Sequence, residues 1–414
     1  MAYEPRGVEY LRNKLIEKQA RVLTRYKFYE MKNCVRDFNI SSPPNLRYWN
    51  SVLGWCGKSV DVLADRLVFR EFRGDNFNLN EIFKMNNPDN FADSAILSAL
   101  IASCCFVYIS ADDIGFPRLQ VIDGGNATGC IDPITGLLNE GYAVLDRDEH
   151  GLPTLEAYFL PSVTEYYVNG KYDAPADRYE HNVDYPLLVP IVYRPDAVRP
   201  FGHSRISRAC MSIMESALRT IKRGEISAEF YSFPQKWISG LAEDAEIDSW
   251  KASMSSFIAL TKDDDGDAPK VGQFTQQSMQ PHTDQLKMFA ALFAGETGLT
   301  LDDLGFATDN PSSAEAIKAA HENLRLTARK AQRNFGSGLL NVGFLSACLR
   351  DDYAYERKQL YLTHAAWEPV FEPDAAAMSG IGDAIIKVNQ AVPGYFDKTN
   401  LRDLTGIEGG DLIG

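Results

Sequence analysis

What this sequence lacks is a local chemical signature. It contains no C-x-x-C pair, no H-E-x-x-H, no G-x-S-x-G and no G-x-G-x-x-G, so the usual markers of zinc sites, metalloproteases, serine hydrolases and dinucleotide-binding enzymes are missing. The cysteines (Cys34, Cys56, Cys104, Cys105, Cys130, Cys210 and Cys348) are seven, an odd number. They indicate neither a disulfide framework nor a metal site, and a reducing compartment fits them best. His150, His181, His203, His282, His321 and His364 stand singly, and His321 is expected to be a packed, hydrogen-bonded side chain. The longest apolar run, residues 95–109, is broken by serine and shorter than the ~20 residues a membrane span needs. Residues 1–15 have no apolar core behind their charges, so no targeting segment is expected. No cofactor or metal ligand set is expected either. Gly57-Lys58-Ser59 matches the end of a phosphate-binding loop, but Val52 stands where the motif needs its first glycine and no strand precedes it.

Net charge is also short on the positive side, at −14. That argues against a protein that grips nucleic acid through many phosphate contacts. It is compatible with a surface along which DNA slides, because each fixed cation on a phosphate adds affinity and therefore friction. It also fits plain solubility.

With 414 residues the chain exceeds the roughly 250 at which single cores stop growing, and an α+β architecture of two or three units is expected. Helical periodicity appears over 8–32 (Leu11, Leu15, Ile16, Ala20, Leu23, Tyr26), over 53–72 (Val60, Leu63, Ala64, Leu67) and over 91–100. Residues 101–109 read as a buried strand with Cys104 and Cys105 as core filler. Between 118 and 193 come five short β-type runs, LQVI, YAVLD, LEAYFL, VTEYYV and LLVPIVY, with Asn169-Gly170 as a strong turn signal.

A long helix follows at about 204–230, roughly 40 Å at 1.5 Å per residue. Ile206, Ala209, Ile213, Ala217, Ile221 and Ala228 form its stripe, with Arg208, Arg219, Lys222 and Arg223 off it. An excursion over 232–280 holds two strand-like runs, around Gln235, Lys236 and Trp237 and around Lys270 and Gln273, with a helix near 242–260 and an aspartate-rich loop at 263–267 between them. That loop lacks the ligand positions of a calcium site and reads as solvated. A shorter helix at 284–293 is expected to stop near Gly295. An acidic, glycine-bent loop then runs to Pro311 with Asp302, Asp303, Thr308, Asp309 and Asn310. Ser312 and Glu315 form a capping box for a second long helix. Ile317, Ala320, Leu324, Ala328, Ala331 and Phe335 form its packed stripe, while Lys318, Arg325, Arg329, Lys330 and Arg333 give it a wet, basic face. It is expected to continue past Phe344 to about Leu362. Trp367, Val370 and Phe371 mark a last strand, and short helical pieces follow at 378–392 and 401–406.

Two blocks, residues 200–240 (PFGHSRISRACMSIMESALRTIKRGEISAEFYSFPQKWISG) and 310–317 with the helix behind them (NPSSAEAI), resemble the portal proteins of tailed bacteriophages, in particular the siphophage type. The resemblance covers roughly residues 187–344, and the flanks share only the general layout. It implies a portal fold with an α/β wing (1–200), a first stem helix (201–231), a small α/β clip (232–280), a second stem helix (281–295) and a tunnel loop (296–311). A long helix returning to the wing (312–374) and a short helical crown (375–414) complete it.

The same resemblance implies a non-enzymatic ring of about twelve copies at one capsid vertex of the virion, assembled in the host bacterial cytoplasm. Double-stranded DNA would pass through its channel. The tunnel-loop residues would meet DNA sterically, the four stem cations would face the lumen or bridge subunits, and Gln235, Lys236, Trp237, Lys270 and Gln273 would offer a docking surface. Implied partners are the terminase large subunit, a head-tail adaptor, and the major capsid and scaffolding proteins, with no membrane. Two other readings stay open from sequence, a monomeric or dimeric α+β enzyme without a local motif and a capsid adaptor without a DNA channel.

Overall fold

The structure, a computed structural model, describes residues 3–33, 50–174, 176–232, 236–239, 270–273, 278–306, 317, 319–371 and 375–405. Helix α1 (Val8–Tyr29) buries Leu11, Leu15, Val22 and Phe28, while Ile16 and Leu23 are exposed. Its apolar stripe is therefore narrower than the periodicity predicts.

The helix expected over 53–72 ends early. Helix α2 (Trp55–Ala64) gives way to strand β1 (Phe69–Arg73), because Phe69, Phe72 and their neighbours pair with a strand almost 300 residues away. Tertiary pairing overrides the local pattern here. The Gly57-Lys58-Ser59 triplet lies inside α2 with Gly57 and Ser59 buried, not on a phosphate-cradling loop.

Helices α3 (Leu79–Lys84) and α4 (Pro88–Ala102) follow, and α4 consumes the first residues of the run expected as strand. Strand β2 (Cys104–Ala111) then begins at Cys104, with Cys104 and Cys105 fully buried. Strands β3 (Pro117–Ile122), β4 (Ala127–Ile131), β5 (Leu138–Arg147), β6 (Pro153–Leu160), β7 (Val163–Val168), β8 (Arg178–Glu180) and β9 (Leu188–Val192) complete this part. All five predicted runs are strands, and β4 and β8 are additional. The sheets are antiparallel, in the order β3-β2-β9 and β4-β5-β6-β7-β8. Asn169 and Gly170 both take positive φ and close Val168 onto Lys171, the geometry a two-residue turn requires.

Helix α5 (Arg208–Ser232) leads to the two-stranded ribbon β10 (Lys236–Ser239) and β11 (Lys270–Gln273), paired antiparallel with Lys236 opposite Gln273. The helix and aspartate loop expected between them lie outside the described residues. Helix α6 (Gln280–Thr297) runs through Gly295 and stops at Gly298, which takes φ 71° and donates its N–H to Ala294 O. A left-handed cap is what ends it, so the glycine three residues further on is the stop signal.

The capping box at Ser312 lies outside the described residues. Residues 317, 319 and 320 are helical, and the long helix α7 (Glu322–Arg350) starts after an irregular His321. Ile317 is 48 % exposed, whereas Leu324, Ala328, Ala331 and Phe335 are buried, so the packed stripe begins at Leu324. From Phe335 to Cys348 only Ser337 is exposed. A Cβ on Gly338 would come within 2.8 Å of Ile191 Cδ1, which shows how closely α7 lies on β9. The helix ends at Arg350 rather than near Leu362, for Asp351 leaves helical geometry and Asp352 takes φ 48°. Strand β12 (His364–Trp367) pairs with β1, and helices α8 (Ala375–Ala391) and α9 (Lys398–Thr405) close the described chain. One apolar core joins α2, α4, β2, β9, α5, α6 and α7. A small satellite core lies between α1 and β5–β6.

Candidate functional site

The elements that the sequence singles out converge on the α5–α6 pair and its continuation into α7. Arg205, buried just before α5, donates through its guanidinium Nε to Ser59 O (3.2 Å) and through Nη2 to Thr297 O. A buried cation that serves two carbonyl ends holds the start of α5 against α2 and the end of α6. Ser207 Oγ to Glu296 Oε1 (2.8 Å) and Thr220 Oγ1 to Gln285 Oε1 (3.1 Å) continue the antiparallel register upward. Cys210, Met214, Ala217 and Leu218 are the buried face of α5. The predicted stripe is displaced from it, since Ala209 and Ala228 are exposed and Ile213 and Ile221 half-buried.

Arg208, Arg219, Lys222 and Arg223 share one face of α5. At about 100° per residue they span an arc of roughly 100°, opposite Cys210 and Ala217. Arg208 and Arg223 are exposed and Arg219 donates to Ser216 Oγ at 2.9 Å. On α6, Met288 and Leu292 are 50 % and 54 % exposed, one turn apart and away from α5. Among the described residues both helices therefore carry an outer face with exposed groups, Arg208 and Arg223 on α5 and Met288 and Leu292 on α6.

The segment after α6 separates the two aspartates. Asp302 is exposed, while Asp303 accepts hydrogen bonds from Thr300 N and Oγ1, both 2.9 Å, and lies 3.3 Å from His321 Nε2. Burial pushes the Asp303 carboxyl up, yet the bonds from Thr300 and His321 outweigh it and hold it below the ordinary range. Leu299 and Leu304 are buried and Phe306 meets Trp55 edge-on at 6.4 Å. Residues 298–306 are thus a packed turn. Thr308, Asp309 and Asn310 lie outside the described residues, as does Gln235. Lys236, Trp237, Lys270 and Gln273 come together on one ribbon, with Trp237 opposite Gly272.

Two features escaped the sequence reading. Glu140 is fully buried and accepts from Tyr3 Oη, Tyr158 Oη and the backbone N–H of Arg6 and Gly7, and Glu156 pairs with Arg12 at 2.8 Å. These contacts pin the N-terminal segment to the five-stranded sheet across more than 130 residues, a separation that leaves no local signal. The second is a groove of about 620 Å³ beside α7, lined by Arg329, Lys330, Arg333, Gly336, His364 and Trp367. Among the described residues no group of three or more His, Cys, Asp or Glu side chains could hold a metal ion. No helix among them is long and apolar enough to cross a membrane.

The chain is a sequence relative of bacteriophage portal proteins. No protein-family model matches it. It is 26 % identical over 334 residues to the portal protein of Mycobacterium phage L5 and 25 % identical over 330 residues to that of Mycobacterium phage D29. Each alignment covers 75 % of this chain and 67 % of the relative. Among solved structures it is similar to a chain in the neck of a native gene transfer agent particle computed with C12 symmetry, with a TM-score of 0.44, 14 % identity and coverage of 86 % of this chain and 90 % of the other. A chain in the virion of the native particle gives a TM-score of 0.43 at 12 % identity, with coverage of 86 % and 90 %.

Proposed function

We propose that this chain is a portal subunit: a ring of about twelve copies at one capsid vertex, through which double-stranded DNA enters and leaves the particle. The observation that carries the reading is the sequence relation to two portal proteins over 334 and 330 residues. Those relatives are named for a structural role, and the reading is accordingly non-enzymatic.

The geometry supports it in kind. Two antiparallel helices, α5 and α6, present outer faces that none of the described residues covers, and a ribbon is inserted between them. In the ring, α5 and α6 form the stem, with Arg208, Arg219, Lys222 and Arg223 on the lumen or against the next subunit. The ribbon with Lys236, Trp237, Lys270 and Gln273, together with Gln235, belongs to the clip that docks the terminase large subunit during packaging and the head-tail adaptor afterwards. Major capsid and scaffolding proteins would contact the opposite side, in the host cytoplasm where the particle assembles. The energy for DNA movement comes from the terminase, and the portal is a passive conduit. Its tunnel loop meets DNA sterically through Asp302, Thr308, Asp309 and Asn310. Asp303 is committed to Thr300 and His321, so Asp302→Asn with Asp309→Asn is the cleaner probe of DNA retention than any variant of Asp303.

Light scattering combined with negative-stain microscopy tests the proposal. Closed rings with a central hole and a mass near twelve times 46.2 kDa are expected. A compact monomer at high concentration and in the presence of capsid and scaffolding proteins would contradict it.

A further inference from the structure

We infer that the basic groove beside α7 is a docking surface for carboxylates of a second copy of this chain. This deepens the ring reading and rests on it. Arg329, Lys330 and Arg333 are exposed on consecutive turns of α7, and none makes an ion pair with any described residue. Their neighbour Arg325 differs, being neutralised bidentately by Glu322 at 2.7 Å through both Nε and Nη2. Among the described residues, the acid next to the groove is also paired. Glu368 binds Arg70 at 3.0 Å. Beyond Arg333 a second hollow of about 660 Å³ begins, and its aspartates already accept hydrogen bonds from their own loops. Asp132 takes Thr135 and the Ile134 N–H, and Asp196 takes His203 and the N–H groups of Val198 and Arg199. Glu322, held below the ordinary carboxyl range first by its hydrogen bonds from Arg325, is already bound by that residue.

Three adjacent cations without an ion pair among the described residues, in a chain with 14 excess negative charges, repel one another and invite an anion from outside. A second copy supplies carboxylates in abundance. The shape favours this over duplex DNA. The cations rim a concave trough floored by Gly336, Ala365 and Trp367, which admits side chains or an extended segment, whereas a duplex is a convex cylinder. The Trp367 indole N–H makes no hydrogen bond with any described residue and adds a neutral donor to the floor. Fixed cations on DNA would also add friction to a channel.

The test compares the full chain with R329E/K330E/R333E and with the neutral R329Q/K330Q/R333Q. All three positions are exposed, so thermal melts are expected to superimpose and to certify folding. By light scattering, the reversal variant should need at least about tenfold more protein to form rings. The neutral variant should fall between and respond little to salt, whereas raising salt should weaken wild-type assembly and partly restore the reversal variant. Rings formed by both variants at the wild-type concentration overturn the inference and leave the ring reading standing. So does normal assembly with loss of binding to a labelled duplex of about 30 base pairs, which reassigns the groove to nucleic acid. A wild-type chain that never assembles removes the ring reading and this inference together.

Discussion

The two halves of helix α7 differ in how far they are packed. From Phe335 onward the helix is buried almost all round, touching β9 through Gly338 and Tyr193 through Phe335, whose rings stack at 6.0 Å. Up to Arg333 the same helix is packed on one side, and on the other Arg329, Lys330 and Arg333 make no ion pair among the described residues. The α5–α6 pair resembles the first half, with Cys210, Met214 and Phe293 buried and Arg208, Arg223, Met288 and Leu292 exposed. One region finishes its packing within the chain, and the other leaves faces whose apolar and charged groups await a neighbour. An exposed apolar pair alone is ordinary on a surface. Its place beside the exposed Arg208 and Arg223 of the adjacent helix is what sets this region apart.

Truncation in the closed region should have the largest effect. Phe335→Ala removes a fully buried ring and should cost about 3–5 kcal/mol, read as a lower denaturation midpoint in the isolated chain. Less than about 1 kcal/mol would place that half of α7 among the loosely packed regions and dissolve the comparison.

Acidification should act next, again on the closed region. Burial holds the His181 imidazole down at about 4 against an ordinary 6.5, with Nδ1 accepting the Val183 N–H at 3.3 Å. Because the folded value is the lower one, the unfolded chain binds the extra proton between pH 6.5 and about 4. The stability associated with the neutral ring is full above pH 6.5 and is lost as pH falls through that window, with a slope of at most about 1.4 kcal/mol per pH unit. His181→Asn should flatten the slope in thermal melts across the window, and an unchanged slope would assign the acid sensitivity elsewhere.

Leu292→Ala should do least to the isolated chain. At 54 % exposure the change belongs with surface substitutions, within about 0.5 kcal/mol, yet it should weaken assembly. A large loss of monomer stability would show that Leu292 is already covered within its own chain.

Legibility of the fold followed the same division. Long-period signals survived: the amphipathic stripe at Leu324, Ala328, Ala331 and Phe335 is buried, and the Asn169-Gly170 turn is formed. Failures arose where a distant partner decided. Phe69–Arg73 looked helical and is a strand because His364–Trp367 pairs with it. The stripe of α5 was placed along Ala209 and Ile213, whereas α6 buries Cys210 and Met214. An alanine-rich helix offers two plausible faces, and only the partner selects one.

At the candidate site, Arg208, Arg219, Lys222 and Arg223 were correctly read as lying off the packed face. The different fates of Asp302 and Asp303 were not legible, because Asp303 is recruited by Thr300 three residues before it and by His321 eighteen residues after it. That Arg329, Lys330 and Arg333 make no ion pair among the described residues was equally invisible, since it depends on which acids lie near and what already holds them.

The most direct test of the central claim, that these faces are completed by neighbouring copies, is oxidative footprinting of methionine in dilute and in concentrated protein. Met288 is 50 % exposed and Met214 is fully buried. The account predicts fast oxidation of Met288 in dilute monomer and strong protection in the assembled particle, with Met214 slow in both. Equal, fast oxidation of Met288 in the assembled particle, or a chain that stays monomeric at every concentration, would contradict it.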